Sequence, residues 1–323
     1  VQHISKYKTL VDASIDAFIA SNKQQALYEP INYILQLGGK RMRPILTLMA
    51  ADMYGVNLEK AMNAGIALEV FHNFTLLHDD IMDQAPLRRG KPTAHEKWGV
   101  NSAILSGDAM FVQSVQLLAK DHPKQLPAML DLFNKTALEV CEGQQLDMDF
   151  EHRSKVSLDE YIEMITLKTS VLLGAALEMG ALVADAPKED AKHLYEFGKN
   201  IGIAFQIQDD ILDAYGDADK FGKRVGGDIV ANKKTYLMIT ALDKANPAER
   251  EDLEEALAVC NEDLKVERVT SMFNHLSVRH DAENAMDYFF NLALSELDKI
   301  SSVSEEKKQP LKLLAEYLIE REE

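Results

Sequence analysis

Of 323 residues only two are cysteines, Cys141 and Cys260, and neither belongs to a CxxC or a paired-histidine spacing. That excludes a disulfide scaffold, argues against a zinc site and fits a reducing cytoplasm. No apolar run comes near the roughly 20 residues needed to cross a bilayer, so no stable membrane insertion is expected. The opening residues, Val1-Gln2-His3-Ile4-Ser5, show no charged segment followed by an apolar stretch, so no signal peptide is expected. Basic residues are outnumbered, 35 against 52 acidic ones, for a net charge of −17. This balance excludes nucleic acid and anionic membrane as general partners, and any anionic ligand must be met by local basic groups or metal. Alternating β-branched residues are scarce, which excludes a sheet-based fold, and the lack of a short repeat excludes a solenoid.

What is abundant is helix-forming: Ala, Leu, Met, Glu and Lys recur with apolar positions at helical spacing. The pattern predicts helices over 44–53, 61–84, 102–120, 126–149, 158–183 and 190–215. Gly38-Gly39 ends one helix, and Pro44 suits the first turn of the next. Thr93 with Glu96, and Ser157 with Glu160, have the spacing of capping boxes, and Asn246-Pro247 reads as an N-cap followed by Pro at the first helical position. Gly216, Gly222, Gly226 and Gly227 mark a loop. With no linker in sight, one all-α domain over 1–323 is expected.

Two copies of DDxxD stand out in this helical background, Asp79-Asp80-Ile81-Met82-Asp83 and Asp209-Asp210-Ile211-Leu212-Asp213. In each, the first and last aspartates are four apart and share a helix face, with the middle one beside them. A single copy is as often a solvated acidic face as a site. Both copies, however, follow apolar sequence, where unpaired carboxylates are costly. Two such faces brought together would need cations, and oxygen ligands with room for water and phosphate suit Mg²⁺.

Cations occur at matching places. Gly39-Lys40-Arg41-Met42-Arg43-Pro44 places basic groups in a turn feeding a helix N-terminus, a ready anion site. Arg88 and Arg89 follow the first motif, Lys168-Thr169 interrupts an apolar helical run, and Lys223 and Lys233 flank the glycine loop after the second. Each alone reads as a solvated cation; their joint placement does not. His72 lies about two helical turns before Asp79, on roughly the same face. A buried structural histidine is the ordinary alternative for it. His78 reads as a packing neighbour of the aspartates.

The ordered set GGKRMRP (38–44), HDDIMDQAPLRRGKPT (78–93), GDAMF (107–111), GQQLD (143–147), KTSVLLGAA (168–176), FQIQDDILD (205–213) and GKRVGGDIVANKKTYL (222–237) resembles the trans-isoprenyl diphosphate synthases, the polyprenyl synthetase family, over nearly the whole chain. The resemblance implies an isoprenoid synthase fold, a bundle of about ten or more helices around a central cavity. It implies a cytoplasmic homodimer that condenses isopentenyl diphosphate with a dimethylallyl, geranyl or farnesyl diphosphate. Mg²⁺, about three ions with substrate bound, would be held by Asp79, Asp83 and Asp209, with Asp80, Asp210 and Asp213 as partial or outer ligands. Arg88, Lys168, Lys223, Lys233 and Gln206 would hold the allylic diphosphate, and Lys40, Arg43, His72 and Arg89 the isopentenyl diphosphate. Lys168, Thr169 and Gln206 would also steady the allylic cation. Gln144 and Asp147 match a family motif without an assigned role beyond lining or bracing the pocket.

Phe74 and Thr75 lie five and four positions before Asp79. In the family, one aromatic at the earlier position goes with a C20 product and aromatics at both with C15, so the resemblance implies geranylgeranyl diphosphate, with farnesyl diphosphate as the alternative. Two further readings are a class I terpene cyclase and a non-catalytic synthase subunit. The full second DDxxD, the Lys40, Arg43 and His72 set and the intact arginine pair favour chain elongation over both.

Overall fold

The computed structural model describes residues 2–216 and 225–320. In chain order the helices are α1 (Gln2–Ser21), α2 (Glu29–Gln36), α3 (Met42–Met53), α4 (Leu58–Met82), α5 (Ala94–Trp98), α6 (Val100–Leu118), α7 (Leu126–Glu151), α8 (Leu158–Ile165), α9 (Val171–Val183) and α10 (Lys188–Tyr215). They continue with α11 (Gly227–Val230), α12 (Tyr236–Lys244), α13 (Pro247–Leu257), α14 (Glu262–His275), α15 (Val278–Lys299) and α16 (Glu305–Glu320). Among the described residues the one sheet is a two-residue hairpin ladder, β1 (Leu87–Arg88) antiparallel to β2 (Lys91–Pro92), with Arg88 opposite Lys91. The all-α expectation therefore holds, and the predicted helices recur with ends shifted by a few residues.

The chain forms two compact units. One comprises Val1–Lys135, Ala175–Tyr195 and Ile300–Leu311; the other comprises Thr136–Gly174, Glu196–Lys299 and Lys312–Glu323. Each draws on three separate stretches of chain, so no single cut divides them. This is why no linker is visible in the sequence.

The first unit is organised on α4. Its residues Ala64 to Phe71 are buried without interruption, as befits a helix that is apolar all round rather than along one stripe. It packs against α3 and α6, and Ile31, Leu35, Ile45, Leu48, Leu68, Phe71, Leu77 and Met110 fill the core around it. One buried charge pair lies in this core. Arg41, in the left-handed conformation at the start of α3, donates to Glu69 of α4 at 2.8 Å and to the Leu35 carbonyl at the end of α2. The turn carrying GGKRMRP is thereby tied at both ends.

The second unit has a continuous apolar core of Phe150, Tyr161, Met164, Ile165, Ile203, Ile207, Ile211, Leu237, Ile239, Val269 and Phe273, among others. The capping signals at Ser157 and Asn246 are realised, each with reciprocal side-chain and backbone bonds to Glu160 and Glu249. Thr93 departs from expectation. It stands at the N-cap of α5, but its hydroxyl donates to the Ala85 carbonyl at 2.8 Å instead of closing a box with Glu96.

The predicted helix over 158–183 is interrupted. Thr166–Ser170 forms a π turn between α8 and α9, in which the Val171 N–H reaches back five residues to the Thr166 carbonyl. The same stretch corrects the expectation on apolar runs: Leu158–Val183 is long and apolar enough, by length and composition, to cross a bilayer. Its apolar window is 67% buried inside the protein, as a core helix would be.

Candidate functional site

In the first unit, Asp79, Asp80 and Asp83 fall at the C-terminal end of α4, with Asp83 as its C-cap. Carboxylates there meet the negative end of the helix dipole, an arrangement that needs positive charge nearby. Arg88 provides some: from the hairpin its Nε and Nη2 each donate to one oxygen of Asp80 at 2.8 Å. Asp80 is thus a buried carboxylate already engaged by protein.

From the turn of the same hairpin a further positive charge is supplied. Arg89 donates to the Gly38 carbonyl, which fixes its guanidinium over the GGKRMRP turn. Arg43, the second residue of α3, is brought down to about 10 by burial, against the pull of Glu69. His72 is held well below its ordinary value, first by burial and then by the charges of Arg43, Arg88, Arg89 and Arg41. It is therefore a neutral imidazole at neutral pH, under the charges of four guanidinium groups. Such a concentration of positive charge suits a polyanion. Lys40 is exposed in the same turn. Arg41, by contrast, is spent on the buried pair with Glu69, so only its charge acts on the site.

In the second unit one cavity of about 870 Å³ is lined by Asp147, Tyr161, Lys168, Thr169, Gln206, Asp209, Asp210, Asp228, Lys233 and others. Asp209, Asp210 and Asp213 lie in the last two turns of α10, again at a negative helix end. Asp210 accepts from the Tyr161 hydroxyl at 2.6 Å and from the Tyr236 N–H at 2.9 Å, both to the same oxygen. Burial pushes its carboxyl up to about 8, opposed by the Tyr161 bond and reinforced by the charges of Asp228 and Asp209. Asp213 caps the start of α11 through the Asp228 N–H at 2.9 Å and is pushed up to about 6, first by burial and then by Asp228. Lys233 lies 3.9 Å from Asp228 at the cavity edge. Lys223 lies outside the described residues.

The charges of Asp209 and Asp228 act on Asp210, and that of Asp228 on Asp213, and every donor in this set is an oxygen. That donor set fits a hard divalent cation such as Mg²⁺. Among the described residues no group of three His, Cys, Asp or Glu side chains is placed to hold a metal ion by itself. Magnesium does not require one, since it keeps several waters and takes one or two carboxylates beside phosphate oxygens.

Of the candidate chain-length residues, Phe74 sits in an aromatic box. The Phe74 ring lies 5.6 Å from Phe71 and 5.7 Å from Phe111, and Phe133 closes on Phe71 at 5.2 Å and on Phe111 at 5.9 Å. His78 packs 4.7 Å from Phe74 and donates to the Ile104 carbonyl at 3.2 Å, a packing neighbour as expected. The Thr75 hydroxyl is turned back onto the His72 carbonyl at 2.8 Å. Sequence reading missed Phe111, Phe133, Tyr161 and Asp228. Phe111 and Asp228 lie inside motifs it quoted, while Tyr161 had no signal beyond helical spacing.

Residues 24–276 match the family model described as Polyprenyl synthetase. The chain is 38% identical over 330 residues to a geranylgeranyl diphosphate synthase of Methanosarcina mazei, covering 100% of this chain and 98% of that one. It is 38% identical over 307 residues to a geranylgeranyl diphosphate synthase of Sulfolobus acidocaldarius, covering 91% of each. A solved geranylgeranyl pyrophosphate synthase is 44% identical with a TM-score of 0.93, over 98% of both chains.

Proposed function

The chain belongs to the polyprenyl synthetase family and is a prenyltransferase, and from that premise we propose that it condenses isopentenyl diphosphate with allylic diphosphates to give geranylgeranyl diphosphate. The observation that carries the reading is the occurrence of carboxylate clusters at two helix ends together with guanidinium groups whose charges act on a neutral histidine. The first suits cations and the second suits a polyanion. An elongating enzyme handles two diphosphates, one with metal and one without.

Asp79, Asp83 and Asp209, with Asp80, Asp210 and Asp213 as partial or outer ligands, would hold Mg²⁺, which would supply Lewis-acid neutralisation of the leaving diphosphate. Lys168, Lys233, Gln206, Arg88 and Lys223 hold that diphosphate. Lys40, Arg43, His72 and Arg89 hold the isopentenyl diphosphate, His72 as a neutral hydrogen-bonding ring. The allylic C–O bond breaks, and the electrons of the isopentenyl double bond form the new C–C bond. The proton then lost goes to the released diphosphate, so no side chain need act as base. The Lys168-Thr169 backbone and the Gln206 amide, which line the cavity, would steady the developing cation electrostatically.

Homodimer formation is part of this proposal. The broad face of α6 leaves Val100, Ile104, Leu105 and Val112 between 39 and 60% exposed, an apolar stripe of the kind that a second copy covers. A cytoplasmic setting is supported by the two exposed free thiols of Cys141 and Cys260.

Product length tests the reading. With Mg²⁺, labelled isopentenyl diphosphate and C5, C10 or C15 primers, the expected product is C20 from each. Phe74→Ala opens the aromatic box and should lengthen the product beyond C20 by about one five-carbon unit, since Phe111 and Phe133 still close the space beneath it. Mass spectrometry of the dephosphorylated products checks both. An unchanged C20 product from Phe74→Ala would remove Phe74 from the floor. No condensation with any primer would sink the synthase reading itself.

A further inference from the structure

The motif GQQLD at 143–147 has no part in the mechanism above, yet its residues lie against one that does. Gly143 and Asp147 are four apart and share a face of α7. A Cβ at Gly143 would fall on the backbone nitrogen of Lys168, so at this point α7 touches bare backbone. One turn further on, the Asp147 carboxylate accepts from the Lys168 ammonium. A single helix face therefore holds Lys168 at both ends, main chain and Nζ. From the other side α10 approaches equally closely: a Cβ at Gly202 would lie 2.7 Å from the Cα and Cβ of Ser170. The buried Ser170 hydroxyl donates to the Ile165 carbonyl at 3.1 Å. The π turn carrying Lys168 is clamped between two glycines.

A π turn is an unfavourable interruption of a helix and persists where its surroundings over-determine it. Here it turns Lys168 and Thr169 to the cavity wall, beside Asp147. The ion pair itself is partly exposed, with side chains 26 and 28% accessible, and pairs of that exposure add little to folding stability. Its consequence is directional. A lysine side chain has many rotamers, and one held in advance loses less freedom when its ligand arrives. The ammonium has three donors, so it can bond Asp147 and a phosphate oxygen together.

We infer that Asp147 is a positioning residue that acts through Lys168, holding the ammonium against the cavity before the allylic diphosphate binds, with Gly143 as the contact that lets α7 approach closely enough. This rests on the functional reading above for the identity of the ligand. The test is a double-mutant cycle over Asp147→Ala, Asp147→Asn and Lys168→Gln. Asp147→Ala should lower kcat/KM for the allylic diphosphate about 10- to 100-fold. Asp147→Asn, which keeps an acceptor in place, should cost less. KM for isopentenyl diphosphate should stay within about twofold and the melting temperature within about 3 °C. In the Lys168→Gln background Asp147→Ala should cost no more than about twofold further.

A full loss in that background, or a fall in melting temperature large enough to account for the loss, would overturn the inference. The same cycle is run on binding of inorganic pyrophosphate with Mg²⁺ by calorimetry, which needs no turnover. Weaker binding in Asp147→Ala that vanishes in the Lys168→Gln background supports the role; equal weakening in both backgrounds overturns it. Failure of the wild type to condense any primer would count against the function and leave the binding cycle to decide on Asp147.

Discussion

Asp209→Asn is expected to cut turnover by about 10³-fold or more, because the step we propose it to serve is charge neutralisation of a leaving diphosphate. Asparagine keeps the size of the side chain and one acceptor oxygen, so the cavity keeps its shape while the carboxylate charge is lost. The effect on stability should have the opposite sign. Asp209 is one of the charges that push the buried Asp210 carboxyl upward, so removing it relieves repulsion in the metal-free protein. The melting temperature without magnesium should therefore hold or rise, while stabilisation by magnesium with inorganic pyrophosphate falls. A radiolabel assay and paired melting curves measure the two halves. A variant that keeps more than about a tenth of wild-type turnover would take Asp209 out of the reaction.

Glu69→Gln is the substitution expected to cost most in folding. Arg41 and Glu69 have side chains only 4 and 5% exposed and lie 2.8 Å apart. The amide keeps the volume of the carboxylate but strands a buried guanidinium, whose nearest other carboxylate, Asp12, is 3.5 Å away and 42% exposed. Breaking such a pair on one side costs about 3–5 kcal/mol. A urea titration of the variant against wild type reads this directly. Glu189→Gln, at an exposed pair with Lys192, is the control and should leave the curve where it is. Because Arg41 also ties the GGKRMRP turn to α2, the variant's surviving activity should show a raised KM for isopentenyl diphosphate. A loss under about 1 kcal/mol would place this pair with ordinary surface ion pairs.

Local chemistry was legible in the chain because its signals are local. Ser157 with Glu160 and Asn246 with Glu249 need only three residues to form a cap, and both form. Thr93 has the same spacing, but the carbonyl of Ala85 competes for its hydroxyl once the hairpin folds back. The π turn is a different case. An extra residue in the hydrogen-bond ladder leaves hydrophobic periodicity almost unchanged, so Leu158–Val183 reads as one helix. The close approaches of Gly143 to Lys168 and of Gly202 to Ser170, which accompany the π turn at Thr166–Ser170, are tertiary contacts.

By itself, then, the sequence determined the helices, the placing of carboxylates at two helix ends, the cation-rich turn before α3 and the family to which these belong. The tertiary structure decided which charges are spent and which act outward. Arg41 is consumed by Glu69, Arg88 engages Asp80, and Asp210 is held by Tyr161 across 49 residues of sequence. It also decided that Phe74 closes against Phe111 and Phe71 rather than standing alone. The physical reason is range. Caps, helix faces and dipole ends follow from residues within a turn or two of one another. The partner of a buried charge or ring is whichever group packing brings within about 3 to 6 Å.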